Sequence, residues 1–290
     1  MKSLPPEAGR IYRSTIAKSE STPCGPRAIA VASGKGGVGK TSLSVNLALC
    51  LAKMGLNVTL FDADLGLANA EVVLGLVPRF SLYEVLYGDK TVEEIIVQGP
   101  LGINVISGGS GYLEMANLDQ TRRQWLLKMF DRFSGRDDVL IIDNGAGINK
   151  NVLGFLAAAG EVIIVVTPDP TSLTDAYALI KVLAKYKVHS EVYLVVNRAA
   201  NRREATRTLS KIQSVAGRFL EIKINSLGWI PEDKLVTQAI KSQQPFFITS
   251  PSSPASRSIA GMAELLMGVS RSPAVNGGFW GKLIGLFGNG

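Results

Sequence analysis

The octapeptide Gly34-Lys35-Gly36-Gly37-Val38-Gly39-Lys40-Thr41 has the spacing G-x-x-x-x-G-K-[ST]. An apolar run, Ala28 to Ala32, leads into it, and a helical pattern, Ser42 to Met54, leads out. That context reads as strand, phosphate-binding loop and helix. The glycines let successive backbone N–H groups face a phosphate chain. Lys40 is placed to reach its outer phosphates, and the Thr41 hydroxyl to ligate Mg²⁺. Lys35, directly after the first glycine, is a second lysine that phosphate binding alone does not require.

The rest of the chain bounds what surrounds this loop. Its 290 residues, 46% hydrophobic and 19% charged, suffice for one large α/β domain with a substantial core. A net charge of +7 permits an anionic partner without choosing among nucleotide, lipid head group and nucleic acid. Cys24 and Cys50 make no disulfide framework, and Cys50 reads as a small buried hydrophobe. No N-terminal signal peptide and no spanning apolar run is found, which predicts a cytoplasmic protein.

Residues 1–26, with Pro5, Pro6, Pro23 and Pro26, read as a flexible extension. Strand patterns then fall at 28–33, 57–62, 102–107, 138–143, 161–167, 190–196 and 226–230. They alternate with helical patterns at 42–54, 119–133, 149–159, 171–187, 201–217, 232–241 and 254–267. Near-continuous apolar strands such as Val162 to Val166 suit a parallel sheet covered on both faces. The alternation predicts a doubly wound, mostly parallel α/β sheet with helices on both faces, spanning residues 27–268.

Ligands of such sheets lie at the carboxyl ends of the strands. Asp62 and Asp64 close the second strand and belong beside the loop; the other reading of Asp64 is a turn cap. Val139-Leu140-Ile141-Ile142-Asp143 is an apolar strand ending in an aspartate, the pattern of a Walker B element, so Asp143 would hold Mg²⁺. Gly145 and Gly147 would give the following loop freedom to move. Asn197 ends another strand, and Gly228-Trp229-Ile230-Pro231-Glu232-Asp233 follows; taken alone, they also fit a turn and a helix N-cap.

The form GKGGVGKT resembles the deviant phosphate loop of the MinD/ParA-type ATPases. The resemblance implies ATP as nucleotide, Mg²⁺ as metal and residues Gly34 to Ser42 as the cradle. It also implies a homodimer formed with ATP, in which Lys35 crosses to the partner's phosphates. Asp62 would then help organise the metal shell and Asp64 position the attacking water. Asn197 and Arg198 would meet the adenine, with Pro231, Glu232 and Asp233 closing over it. Asn144 stands where that family usually has threonine, serine or cysteine.

Within the family, Val105 to Gly111, Asp143 to Ile148 and Thr167 to Tyr177 resemble the flagellar-number branch FlhG, also called FleN or YlxH. An extension before the loop fits that branch too. The implied partners are the flagellar GTPase FlhF and flagellar switch or regulator proteins. Residues 1–26 lack the Asp-Gln-Ala-type motif by which FlhG proteins stimulate FlhF. The alternatives are a MinD-like division-site regulator and a ParA-like DNA-bound partitioning ATPase. Arg198, Arg202, Arg203, Arg207 and Lys211 form a basic cluster that fits either a phosphate surface or a solvated helix face. An iron–sulfur reductase is excluded, because Cys24 and Cys50 stand in the wrong places to hold a cluster.

After a linker, residues 269–277, the segment 278–290 carries Phe279, Trp280, Leu283, Ile284, Leu286 and Phe287. On a helix these fall within an arc of about 160°. That is the form of an interfacial anchor, placing the protein reversibly on the anionic inner face of the cell membrane; the other reading is a tail docked on its own domain. This terminal apolar face argues against nucleic acid as partner.

Overall fold

The computed structural model describes residues 26–65, 67–110 and 137–268. The extension over 1–25, the helix expected at 119–133, the linker and the membrane-tail residues lie outside the described residues.

The strands are β1 (Arg27–Ser33), β2 (Val58–Ala63), β3 (Val97–Gln98), β4 (Asn104–Ile106), β5 (Val139–Ala146), β6 (Glu161–Val166), β7 (Glu191–Ala199) and β8 (Lys223–Pro231). They form one sheet in the order β3-β4-β2-β5-β1-β6-β7-β8. All pairings are parallel except β3 with β4. The antiparallel β3 was not foreseen: two residues carry no readable alternation, and so short an edge strand exposes little unpaired backbone. The pattern at 102–107 shrinks to Asn104–Ile106 because Pro100–Gly102 form a 3₁₀ turn with Leu101 at φ 56°.

The helices are α1 (Lys40–Lys53), α2 (Ala70–Leu74), α3 (Leu82–Leu86), α4 (Val92–Ile95), α5 (Lys150–Ala158), α6 (Pro170–Lys185), α7 (Arg202–Phe219), α8 (Lys234–Lys241), α9 (Phe246–Thr249) and α10 (Pro254–Gly268). The short α2, α3, α4 and α9 escaped the pattern reading, since one turn shows no periodicity. Their ends are set locally: Ser81 and Glu84 make a capping box on α3, and Thr91 and Glu94 on α4.

The sheet separates two cores. On one face Ala28, Ala30, Ala32, Phe61 and Ile142 pack with α3, α4, α5, α6 and α7. On the other Ile29, Val31, Leu60 and Ile141 pack with α1, α9 and α10. Helix α1 is buried over most of its circumference, so its amino end is held rigidly under the sheet edge. At the opposite edge Arg27 donates bidentately to Glu161 at 2.6 and 2.8 Å, clamping β1 to β6.

The chain runs from β1 to β2, β4 and β5 on one side, then crosses β1 to β6, β7 and β8 on the other. The reversal lies at the carboxyl end of β1, where open α/β sheets bind ligands. The residues Gly34 to Gly39 emerge there.

Candidate nucleotide site

Two glycines of the loop are dictated by their surroundings. A Cβ on Gly34 would lie 2.2 Å from the Asp175 backbone, because α6 passes directly behind it. Gly39 sits at φ 94°, and a Cβ there would lie 2.3 Å from the Asn197 amide nitrogen. The loop then enters α1, whose first residues are Lys40 and Thr41. The orphan N–H groups of that helix end and its dipole favour an anion at this point.

Three aspartates gather beside it on adjacent strands, with Asp62 opposite Asp143 in the β2–β5 register. Both are buried. Asp143 accepts a hydrogen bond from Ser44 Oγ at 2.9 Å and another from the Thr41 hydroxyl. Burial pushes its carboxyl up to about 6, against the pull of Thr41, the Lys40 ammonium and Ser44. Burial and the Asp143 charge push Asp62 up to about 8. Asp64, half-buried, is also raised by desolvation, with Lys40 opposing. Its carboxylate lies against Gly145, where a Cβ would stand 3.0 Å from Oδ1. Stacked carboxylates held up in this way are stabilised by a cation, and Lys40 alone is one charge against three.

Asp62 does more than face its neighbours. Oδ1 accepts from the Asp64 backbone N–H at 3.1 Å, and Oδ2 accepts from Asn69 at 2.7 Å and Ala70 at 2.8 Å. It therefore fixes the path of the segment carrying Asp64. Gly145 belongs to β5 and not to the following loop, a correction to the sequence reading; the turn begins at Gly147, with φ 85°. The strand runs further because β5 is flanked by β1 and β2 on both sides, and both supply backbone partners.

Asn197 Nδ2 donates to the Val38 carbonyl at 2.7 Å, and Oδ1 accepts from the Arg198 N–H at 2.9 Å. It thus ties β7 to the loop and retains one N–H and one lone pair. Arg198 is in the left-handed region, φ 57°, with its side chain exposed. Pro231 ends β8 opposite Ala199, and the Glu232 N–H donates to the Ala199 carbonyl at 3.0 Å. The two halves of the expected adenine site are therefore adjacent. Asp233 caps α8 through Oδ1, accepting from Leu235 N–H at 2.9 Å.

Lys35 extends away from the aspartates. Its ammonium donates to Asp169 Oδ2 at 2.7 Å and to the Thr171 hydroxyl. Asp169 is the N-cap of α6, accepting from the Thr171 N–H at 3.0 Å, with Pro170 fixing the first turn. The lysine holds the Asp169 carboxyl below the usual carboxylate range. Sequence reasoning missed Asp169, Thr171 and Ser44. Ser44 was within reach of a helical-spacing argument, being one turn beyond Lys40; the pairing of Lys35 with Asp169, 134 residues away, was not.

Among the described residues, Ser42 Oγ, Asn144 Oδ1 and Asp233 Oδ2 are buried without a partner. Ser42 lies in the first turn of α1, Asn144 in β5 and Asp233 at the N-cap of α8. The residues present fit Mg²⁺–ATP: Lys40 and the loop amides for phosphates, Thr41 and Asp143 for the metal.

A lysine-closed phosphate loop beside buried aspartates at parallel strand ends defines a P-loop nucleotide hydrolase. The model of the CobQ/CobB/MinD/ParA nucleotide-binding domain matches residues 29–246, and the chain belongs to that family. It is 40% identical to the antiactivator FleN of Pseudomonas aeruginosa over 81% of this chain and 84% of that protein. It is 35% identical to the flagellum site-determining protein YlxH of Helicobacter pylori, covering 82% and 81%. Among solved structures, the septum site-determining protein MinD of Pyrococcus horikoshii, complexed with Mg-ADP, superposes with a TM-score of 0.70 at 26% identity, covering 83% and 96%. The protein is accordingly a Mg²⁺-dependent ATPase. No helix of the described residues is long and apolar enough to cross a membrane.

Proposed function

We propose that this chain is an ATP-gated dimerising switch that regulates flagellar number or placement, and that ATP hydrolysis resets it. The flagellar reading draws on its likeness to FleN and YlxH. The observation that carries the switch is the division of labour between the two loop lysines. Lys40 faces the aspartates of its own chain, while Lys35 is held outside by Asp169 and Thr171.

Lys40 and the loop N–H groups bind the phosphates in cis. Thr41 and Asp143 hold Mg²⁺, which would neutralise charge on the phosphate oxygens. Asp62 positions the segment carrying Asp64, and Asp64 orients the attacking water and accepts its proton. Desolvation, which raises the Asp64 carboxyl against the pull of Lys40, makes it a better proton acceptor than a carboxylate in water. Lys35 leaves Asp169 to reach the partner subunit's phosphates. The Asn197 amide and the Pro231–Asp233 segment favour adenine.

The C-terminal segment 278–290 anchors the dimer on an anionic membrane, weakly as one tail and strongly as two. Protein partners follow from the same reading: the GTPase FlhF and flagellar switch or regulator proteins.

Light scattering with ATP tests the switch. Asp64→Ala accumulates as dimer without turnover, Lys40→Ala stays monomeric, and Lys35→Ala binds ATP but dimerises poorly. Normal dimerisation and hydrolysis by Lys35→Ala would overturn the trans role. Replacing FleN of P. aeruginosa by this chain and counting flagella per cell tests the flagellar role. Counts like those of a fleN deletion would reject it.

A further inference from the structure

The strand that carries Asp143 breaks register just beyond it. β5 pairs with β1 residue for residue as far as Val31 opposite Asp143, and the next pair is Ser33 opposite Ala146. Asn144 and Gly145 therefore share the single place facing Ala32, which makes a β-bulge. On its other side β5 stays regular, with Ala63 of β2 opposite Asn144.

The bulge decides what meets the site. Gly145 comes against the Asp64 carboxylate, where a Cβ would stand 3.0 Å from Oδ1 and 3.3 Å from the carboxyl carbon. Ala146 comes beside the phosphate loop, its methyl 4.0 Å from where a Cβ on Gly36 would be. The Gly147 N–H donates to the Ser33 carbonyl at 3.0 Å, and Ser33 Oγ donates to the Lys35 carbonyl at 2.6 Å. Drawing the extra residue back into regular pairing would advance the strand by one place and exchange its faces. A side chain would then crowd Asp64 in place of the bare glycine backbone.

Asn144 stitches this bulge. Its Nδ2 donates to the Val31 carbonyl of β1 at 3.1 Å and to the Ile142 carbonyl of its own strand at 3.3 Å. Both carbonyls belong to the end of the regular ladder, just before the slip. The alternation of β5 sets Leu140 and Ile142 on one face, and Ile141 and Asp143 on the face of α1. Asn144, 1% exposed, continues the first of these and lies away from α1 and the Asp143 carboxylate. It reaches the site only through the backbone that it holds.

We propose that Asn144 is a positioning residue for hydrolysis, its amide fixing the bulge that sets Gly145 against Asp64 and Ala146 against the phosphate loop. Stability does not account for the amide. Its Oδ1 is buried with no partner, so a hydrocarbon of the same shape would remove an unsatisfied acceptor along with the two donor bonds. The inference rests on the reading of Asp64 as the group that orients the attacking water.

The test uses the full-length protein and three variants. Asn144→Leu keeps the shape and removes the donor, Asn144→Thr supplies a shorter donor, and Asp64→Ala marks the loss of the water-orienting group. For Asn144→Leu, kcat for ATP should fall about ten- to a hundredfold, the effect of a small misplacement on a reacting geometry. Its affinity for fluorescent Mg²⁺–ADP should stay within about twofold. Its urea midpoint should lie at or above that of the unaltered protein, and hydrogen exchange at the Gly147 amide should quicken. Asn144→Thr should keep turnover within a few-fold. The inference is overturned if Asn144→Leu turns over normally while Asp64→Ala is inactive. It is equally overturned if ADP affinity and stability fall together with kcat, which would make Asn144 a core residue. Normal turnover by Asp64→Ala would overturn the reading beneath the inference, and the inference with it.

Discussion

Removing one hydroxyl from α1 provides a quantitative test of the metal side of the site. Ser44 is buried, and its Oγ lies 2.9 Å from Asp143 Oδ1 and 3.0 Å from the Lys40 carbonyl. One proton serves both, and an ionised carboxylate is the stronger acceptor. A hydrogen bond to a charged group contributes about 1.5–3 kcal/mol, or about 1–2 pH units on the acceptor. Ser44→Ala would thus lift Asp143, already pushed up to about 6, to about 7–8. At pH 7 the ionised fraction of Asp143 falls from about nine-tenths to about a quarter, and at pH 8.5 the two proteins nearly converge. Apparent Mg²⁺ affinity, measured as the Mg²⁺ dependence of fluorescent ADP binding, should fall about fourfold at pH 7 and recover at pH 8.5. Asp62 titrates in both proteins, so the ratio between them is the quantity to follow. A ratio of one at pH 7, or the same deficit at both pH values, would mean that Ser44 serves the Lys40 carbonyl and does not tune Asp143.

Asp169→Asn keeps the cap on α6 but removes the charge holding Lys35, so ATP-dependent dimerisation should rise severalfold at low salt and less at high salt; an unchanged or lower dimer fraction counts against the cis pair as a brake. Asn144→Thr should leave ATP affinity within a few-fold and alter turnover modestly. Asn144 Nδ2 donates to backbone carbonyls of Val31 and Ile142 and holds the side chain to the sheet while Oδ1 has no partner, so lost Mg²⁺ dependence of binding would make Asn144 a ligand, against its assignment as a neighbour of the metal site. Without nucleotide or Mg²⁺, the raised Asp62 and Asp143 bind protons in the folded state that the unfolded chain releases. Urea stability should therefore fall as pH rises from 6 to about 8, and Mg²⁺–ADP should flatten that slope; a slope of opposite sign refutes the assignment. Fused to inert carriers, residues 270–290 should bind anionic vesicles well only on a dimeric carrier; equal tight binding by a monomeric carrier excludes avidity.

The phosphate loop, the helix after it and the three aspartates were legible because each is a local signal. The glycine spacing follows its own strand directly, and each apolar strand ends in its own carboxylate, so each signal is read within about fifteen residues. The parallel sheet was legible because buried strands such as Val162–Val166 carry no polar alternation. What escaped was long-range or too brief. The grip of Asp169 on Lys35 joins residues that only the fold brings together. The three backbone N–H groups converging on Asp62 depend on how residues 64–70 return towards β2, which no side-chain pattern encodes. The one-turn helices and the two-residue β3 are shorter than the periods by which helices and strands are read.

The placement of β5 between β1 and β2 bears on how the protein is made. The phosphate loop and Asp62 are both complete within the first 65 residues, yet their strands do not touch; β5, closed by Ala146, must enter between them. A nascent chain that has emerged only through β2 therefore owns the most recognisable motif of the site without Asp143, the carboxylate proposed to hold Mg²⁺. Strand insertion between two earlier strands is a non-local event and is slow relative to helix formation. Nucleotide competence should therefore arrive late and abruptly during synthesis, after the central strand is seated.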